Sequence, residues 1–380
     1  MSAARLEPAL ITDVSGIGPI EDEWRSLAET RGNAFVTPDW FRSWWPHRPP
    51  STTAVIVTAS RPDGSLAGVM PLALDLAHRP RMIRFAGASF GDRFMPAASD
   101  AEEGAVASAT MAGIAAAGLD RYTLVLNHVE PARPWWKQLQ FASASNRAGI
   151  VQQRSEQPYI DLRGLDWDGY LAGRSSSFRK KLRQRERKLT EGRKVSDRSA
   201  TPETLEADLE AFFALHESRW QGGSSLDAPG AKAFLGDFAR AAAGRGWLRL
   251  RLLEVDGDPV AAFLGWRLGP TYTFYQSGYD PKWHELSVGM ALLIRTIQSA
   301  IEEGATEFDM LLGTEDYKRR FQNAGRDVQT VVLPRAASPA RVLVAAEARA
   351  RGLGRRVAER PGGAATTRTL RRLLPTSRSS

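Results

Sequence analysis

Hydrophobic and polar positions fall into one pattern that occurs twice along the chain. In the first half, apolar spacings of three and four predict helices over 17–30 and 38–45. Runs over 53–59 and 66–74, around Pro62-Asp63-Gly64, read as strand, turn and strand, with a third short strand over 81–86. A small-residue helix follows over 101–117, with Ser99 or Asp100 as its N-cap, then an apolar strand over 122–127 and a helix over 134–148. The second half begins with a helix over 176–189. Thr201-Pro202-Glu203 then reads as a cap and first-turn proline opening a helix to 221, and another helix covers 229–244. Strands over 247–255, 259–268 and 271–277 are parted by Asp256-Gly257-Asp258 and Gly269-Pro270. A helix over 287–303 stops at Gly304, followed by a strand over 306–312, a helix over 315–323 and a strand over 328–333.

Each half thus predicts helices, a three-strand meander, a crossover helix, a strand and a helix. A meander followed by a crossover gives a mixed sheet, antiparallel first and parallel later. The fold class is α/β (α+β): two tandem units, each a mixed, mainly antiparallel sheet flanked by helices. The turn Pro62-Asp63-Gly64-Ser65-Leu66 echoes Val255-Asp256-Gly257-Asp258-Pro259, which suggests duplication. Pro158 and Gly164 interrupt the pattern, so the linker is expected within 154–166. The units then cover 1–155 and 166–334, with a basic segment over 335–380.

Composition narrows the picture. Apolar residues make up 43% of the 380 and cysteine is absent, so real cores form without disulfides, thiolate metal sites or a cysteine nucleophile. No stretch of about 18 apolar residues occurs, and the first residues lack the pattern of a signal peptide, so a cytoplasmic protein is expected. The net charge of +8 is uneven: residues 174–198 carry a net +8 and residues 335–380 a net +9, leaving an acidic body. Such basic pieces suit phosphorylated ligands or anionic membrane. Leu343, Ala346, Ala350, Leu353 and Val357 lie at helical spacing with arginines opposite, which predicts an amphipathic tail helix able to lie on a membrane.

Six sequence features point to a family. They are Ser176-Ser177-Phe178-Arg179-Lys180-Lys181-Leu182-Arg183, His216-Glu217-Ser218-Arg219-Trp220, Gly278-Tyr279-Asp280-Pro281-Lys282-Trp283, Ser287-Val288-Gly289, Phe308-Asp309-Met310-Leu311 and Asp316-Tyr317-Lys318-Arg319-Arg320-Phe321. In their order and spacing the second half resembles GNAT-superfamily acetyltransferases, in particular the cellulose-biosynthesis (CelD/BcsL-like) family. The first half resembles that family's divergent N-terminal unit through Trp24, Phe35, Pro38-Asp39-Trp40 and Trp44. The tandem plan is shared with Fem-type aminoacyltransferases, which take their acyl group from aminoacyl-tRNA. The resemblance implies acyl-CoA, acetyl-CoA above all, as co-substrate. It also implies an amino group on a small molecule, sugar nucleotide, lipid-linked saccharide or cell-envelope precursor as acceptor.

Acyl transfer needs a seat for the donor's phosphates, a donor to the developing oxyanion, and proton handling at the amine and the leaving group. The resemblance places the phosphates at the start of the helix after the meander, where free N–H groups and the helix dipole favour anions. That turn holds Ser287, Val288, Gly289 and Met290, with Ser287 as N-cap or phosphate ligand. The strand over 271–277 is expected to splay from its parallel neighbour and hold the thioester and pantetheine through residues such as Gln276 and Ser277. By alternation Tyr272, Phe274 and Gln276 face one side, Thr273, Tyr275 and Ser277 the other. Asp309 is a candidate base, since a carboxylate in an apolar strand is costly unless it is used or paired. Tyr317 is a candidate acid for the thiolate, and Lys318 a carbonyl or acceptor ligand. Arg179 on the basic helix, His216, Trp220, Tyr275 and Tyr279 are candidate acceptor contacts. Phe178, Leu182 and Leu189 form the apolar stripe of that basic helix.

Gly87-Ala88-Ser89-Phe90-Gly91 matches a hydrolase nucleophile elbow, but no helix is predicted after Ser89, as the elbow requires. Asp92 and Arg93, just beyond, are placed in a cleft between the halves. The five histidines are scattered, so no metal site is expected. A polyanion-binding protein is the alternative class, but no nucleic-acid reader motif is present.

Overall fold

The computed structural model describes residues 5–77, 80–143, 147, 149–313, 315–335 and 341–342. The tail-helix positions Leu343 to Val357 lie outside the described residues. The strands are β1 (Glu7–Ile11), β2 (Thr52–Ser60), β3 (Leu66–Asp75), β4 (Met82–Phe85), β5 (Ala97–Ala98), β6 (Thr123–Val129), β7 (Ile150–Asp161), β8 (Val195–Ser199), β9 (Leu248–Val255), β10 (Asp258–Leu268), β11 (Thr271–Tyr279), β12 (Glu307–Asp309) and β13 (Ala324–Leu333). The helices are α1 (Glu21–Thr30), α2 (Pro38–Trp44), α3 (Glu103–Ala116), α4 (Pro134–Ser143), α5 (Trp167–Ala172), α6 (Ser176–Thr190), α7 (Leu205–Trp220), α8 (Ala231–Gly244), α9 (Val288–Glu302) and α10 (Asp316–Phe321).

All strands join one sheet of order β1-β2-β3-β4-β6-β13-β7-β12-β11-β10-β9-β8, with β5 on β3. The two halves mirror each other, since β1-β2-β3-β4-β6 and β8-β9-β10-β11-β12 occupy matching places. The β2–β3 and β9–β10 turns are the two copies of the sequence echo. Parallel pairing occurs at β4–β6 and β11–β12, where α3 and α9 make the crossovers.

The centre of the sheet departs from the sequence reading. The stretch expected as a linker is β7, which pairs with β12 of the second half, while β13 pairs with β6 of the first half and with β7. The halves therefore exchange their last strands. β7 carries Gln152, Gln153, Arg154, Ser155 and Glu156 in a row, so it lacks an apolar period. Its ladder to β13 (Gln153 opposite Thr330, Gln157 opposite Arg326) supplies what side-chain pattern does not. β1 and β8 are likewise strands that the periodicity did not show.

Helix starts also shift. α3 begins after Glu102 without a side-chain cap, and Asp100 instead pairs with Arg31 and Arg133. α7 begins after Thr204, a turn later than the Thr201-Pro202 signal. No helix among the described residues is long and apolar enough to cross a membrane.

One apolar core runs through both halves. Trp40 of α2 meets Phe234 and Phe238 of α8 at 4.8 and 4.9 Å between ring centres, and Trp266 of β10 at 6.0 Å. A second core lies on the opposite face of the second half, under α9, and takes in Leu189, with Phe178 and Leu182 at its margin. The predicted stripe of the basic helix therefore packs inward.

Candidate active site

β11 pairs with β12 only over Thr271–Thr273, opposite Glu307–Asp309. Beyond Thr273 the two strands diverge, as expected, leaving a wedge. Opposite β10 the register slips: Gly265 pairs with Phe274 and Leu264 with Gln276, so Tyr275 is a bulged extra residue. Gly265 is required there, because a Cβ would lie 2.0 Å from the Thr273 carbonyl oxygen. The bulge corrects the alternation. Gln276 turns to the α7 side with Tyr275, where its Oε1 lies 3.4 Å from His216 Nε2. Ser277 turns to the α9 side. α7 crosses β11 so closely that a Cβ on Gly278 would lie 2.2 Å from the His216 backbone nitrogen.

A pocket of about 220 Å³ fills the wedge on the α9 side. Phe263, Phe274 and Leu293 make its apolar wall, and Ser287, Val288, Gly289 and Met290 its upper end. Ser287 has φ +54° and makes no side-chain cap, contrary to the N-cap expectation. Its carbonyl accepts from Met290 and Ala291 N–H, so the chain enters α9 through a left-handed turn. The N–H groups of Val288 and Gly289, at the first turn, have no acceptor within the helix. A Cβ on Gly289 would lie 3.2 Å from Tyr279, so glycine keeps this end open. Arg185 and His284 stand beside it.

A second pocket, about 170 Å³, adjoins the first and is polar. Arg219, Phe274, Ser277 and Tyr317 line both. Arg219 donates to the Ser277 hydroxyl at 2.5 Å and lies over the Trp220 and Tyr279 rings, 4.8 and 5.4 Å from their centres. Burial pushes the Tyr317 phenol up to about 12, with Glu315 adding to the effect. Trp220, Tyr275 and Gln276 also line the second pocket, and the Tyr275 hydroxyl donates to the Phe90 carbonyl at 2.9 Å, which fixes the ring. Lys318 reaches it too, donating to the Leu312 carbonyl at 2.5 Å, with Glu315 at 3.3 Å.

The first half contributes Asp92 to this pocket. Its carboxylate accepts from Leu312 N–H at 3.3 Å and lies 3.9 Å from His128 Nδ1. Burial raises its pKa, and the same burial lowers that of His128. His128 holds φ +51°, a strained position for a residue with a side chain. The cleft placement of Asp92 inferred from sequence holds. The loop 87–91 is a series of turns with no helix after Ser89, which removes the hydrolase elbow.

Other expected residues lie elsewhere. Asp309 lines neither pocket. It accepts from Gln157 Nε2 at 3.0 Å and Leu311 N–H at 2.8 Å, and lies 3.8 Å from Arg93. Arg93 also reaches Glu130 and Glu307, and Arg326 reaches the same two acids. This buried network stitches β6, β7, β12 and β13, and its burial and excess of acids raise Asp309. Asp309 thus sits inside this network, held by Gln157 and the Leu311 N–H, with the geometry of a structural node. Arg179 donates to the Leu171, Ala172 and Arg174 carbonyls at the end of α5, away from both pockets. His216 is buried between Gln276 and Ser224 and holds β11 rather than opening to the pocket. Arg219, Arg185, His284 and Glu315 were not singled out from sequence. Arg219 lies within the His216–Trp220 motif and His284 just after the one that begins at Gly278, the one available signal.

Comparison with known proteins fits this geometry. Residues 176–319 match the family model of the acetyltransferase (GNAT) domain. This protein is an acyltransferase. No curated protein matches its sequence. FemX superposes with a TM-score of 0.62 at 11% identity, covering 89% of this chain and 99% of that one. A conserved protein of unknown function from Bacteroides thetaiotaomicron gives 0.56 at 11% identity, covering 86% and 99%. L-PGS from Bacillus licheniformis gives 0.50 at 15% identity, covering 86% and 96%. At these identities the likeness is one of fold, and it extends over both halves.

Proposed function

We propose that the protein transfers an acyl group from acyl-CoA, with acetyl-CoA as the simplest donor, to an amine of a small molecule, sugar nucleotide, lipid-linked saccharide or cell-envelope precursor. The observation that carries this reading is the meeting of the two pockets at Tyr317, Ser277 and Arg219. One pocket is apolar and ends in free N–H groups, which suits a pantetheine arm and pyrophosphate. The other is polar, which suits an acceptor.

In this reading Val288, Gly289, Met290 and Ser287 hold the phosphates, and β11 beyond Thr273 holds the pantetheine. Asp92, backed by His128, takes the proton from the ammonium or the attacking nitrogen. Tyr317 donates to the sulfur as the C–S bond breaks. Lys318, Trp220, Tyr275 and Gln276 shape the acceptor side. The saccharide acceptor and membrane contact through 335–380 rest on the sequence resemblance and on charge.

A second reading, aminoacyl-tRNA as donor, has in its favour the basic face of α6 beside the donor pocket. Calorimetric titration with acetyl-CoA and a long-chain acyl-CoA at about 0.15 M salt, where loose polyanion binding is screened, separates the two. Saturable micromolar binding supports the acyl-CoA reading. Absence of binding to either, with acyl transfer from charged tRNA, supports the second.

A further inference from the structure

Tyr275, the bulged residue of β11, reaches across to the first half of the chain. Its ring lies among aromatic side chains of both halves, 4.8 Å from Trp266, 6.2 Å from Trp40 and 6.3 Å from Phe35 between ring centres. Phe90, whose carbonyl takes the Tyr275 hydroxyl, packs 4.8 Å from Phe234 of α8. Burial raises the Tyr275 phenol, and the Asp92 charge adds to it, so the hydroxyl stays protonated and serves as a donor.

Asp92 is two residues beyond that carbonyl. Gly91 between them is buried, and a Cβ there would lie 2.6 Å from the Phe94 ring and 2.9 Å from the Phe35 ring, so the segment has no slack. On the far side, Asn33 Nδ2 donates to the Arg93 carbonyl at 3.0 Å. The carboxylate itself accepts from Leu312 N–H, and the Leu312 carbonyl accepts from Lys318. Asp92 thus belongs to the first half, yet the second half holds both its loop, through Tyr275, and its side chain, through Leu312. A side-chain bond alone would let the carboxylate swing with its loop. The bond at Phe90 removes that freedom.

We propose that Tyr275 is a positioning residue, whose hydroxyl sets the Asp92 carboxylate in the acceptor pocket by holding the Phe90 carbonyl, rather than a ligand of the acceptor. The proposal rests on the reading of Asp92 as the base.

The test is a double-mutant cycle of Tyr275→Phe and Asp92→Asn, with acetyl-CoA and the best amino-sugar acceptor, read as kcat and acceptor KM. Phenylalanine keeps the ring among its aromatic neighbours, so the variant keeps its fold, checked by its melting curve. Tyr275→Phe should lower kcat at least about tenfold and leave KM within about twofold, because a displaced base loses rate rather than binding. Once Asp92 is Asn, the same change should cost less than about twofold more. Hydrogen exchange over 88–92 and at Leu312, which needs no substrate, should quicken at least about tenfold in Tyr275→Phe. Unchanged exchange overturns the proposal. So does a rise in acceptor KM with kcat unchanged, or losses that multiply in the double variant; either leaves Asp92 standing as the base. Full rate in Asp92→Asn alone overturns the base reading and the proposal with it.

Discussion

Replacing Tyr317 by Phe removes one oxygen at the junction of the two pockets and little else. With burial pushing the phenol up to about 12, only about 3 in 10⁵ are ionised at pH 7.5, so Tyr317 acts as a donor and not as a base. A free thiol ionises near 8.5, well below that phenol. Complete proton transfer to the departing thiolate is therefore uphill, and hydrogen bonding to the developing charge is the larger contribution. A charge-assisted hydrogen bond of about 1.5–3 kcal/mol corresponds to roughly 10- to 150-fold in kcat. That is below the upper range of general acid catalysis, about 10⁴-fold. The assay is release of free CoA thiol from acetyl-CoA, with the best acceptor from a screen of amino sugars, alongside calorimetric CoA affinity. Tyr317→Phe should lower kcat by that factor and leave affinity within about twofold. An unchanged kcat would place the thioester elsewhere. A loss confined to affinity would show that the oxygen serves ground-state binding.

Three further outcomes follow from the same geometry. Burial raises Asp92, so its basic form appears only as pH rises through a value above the usual carboxylate range; kcat/KM should climb along that limb, and Asp92→Asn should abolish the limb and cost about 10²–10⁴ in rate. A wild-type pH profile in that variant would remove Asp92 from the chemistry. Gly278→Ala sets a Cβ 2.2 Å from the His216 nitrogen and 2.4 Å from the Leu215 carbonyl carbon, backbone atoms that have no rotamer to change. Its melting temperature should drop by several degrees, equivalent to about 1–3 kcal/mol or more, and an unchanged Tm would refute the close crossing of α7. Val332→Pro, on β13 between β6 and β7, should lower Tm by roughly 5–10 °C because proline has no place in a central strand. A melt matching wild type would argue against the strand exchange.

The repeated order of elements was legible because each element carries its own period. α9, β9, β10 and β11 bury whole faces, so apolar spacing reports them directly. The turn at the start of α9, the wedge beside β11, and the nearness of Tyr317 and Lys318 to one another in the second pocket were legible through motif resemblance joined to helix-end electrostatics. The bulge at Tyr275 was not. A one-residue slip leaves no periodic trace, and it reversed the facing of Gln276. Asp309 was ambiguous for a physical reason: a buried carboxylate signals either chemistry or pairing, and its partners Gln157 and Arg93 lie far away in sequence.

Sequence by itself determined the α/β class, the repeated order of elements and the basic character of α6, since these depend on local periodicity and composition. Tertiary structure alone decided that β7 and β13 change places, because ladder hydrogen bonds pair backbones regardless of side chain. It alone brought Asp92 beside Lys318 and Tyr317, since the two halves share one sheet.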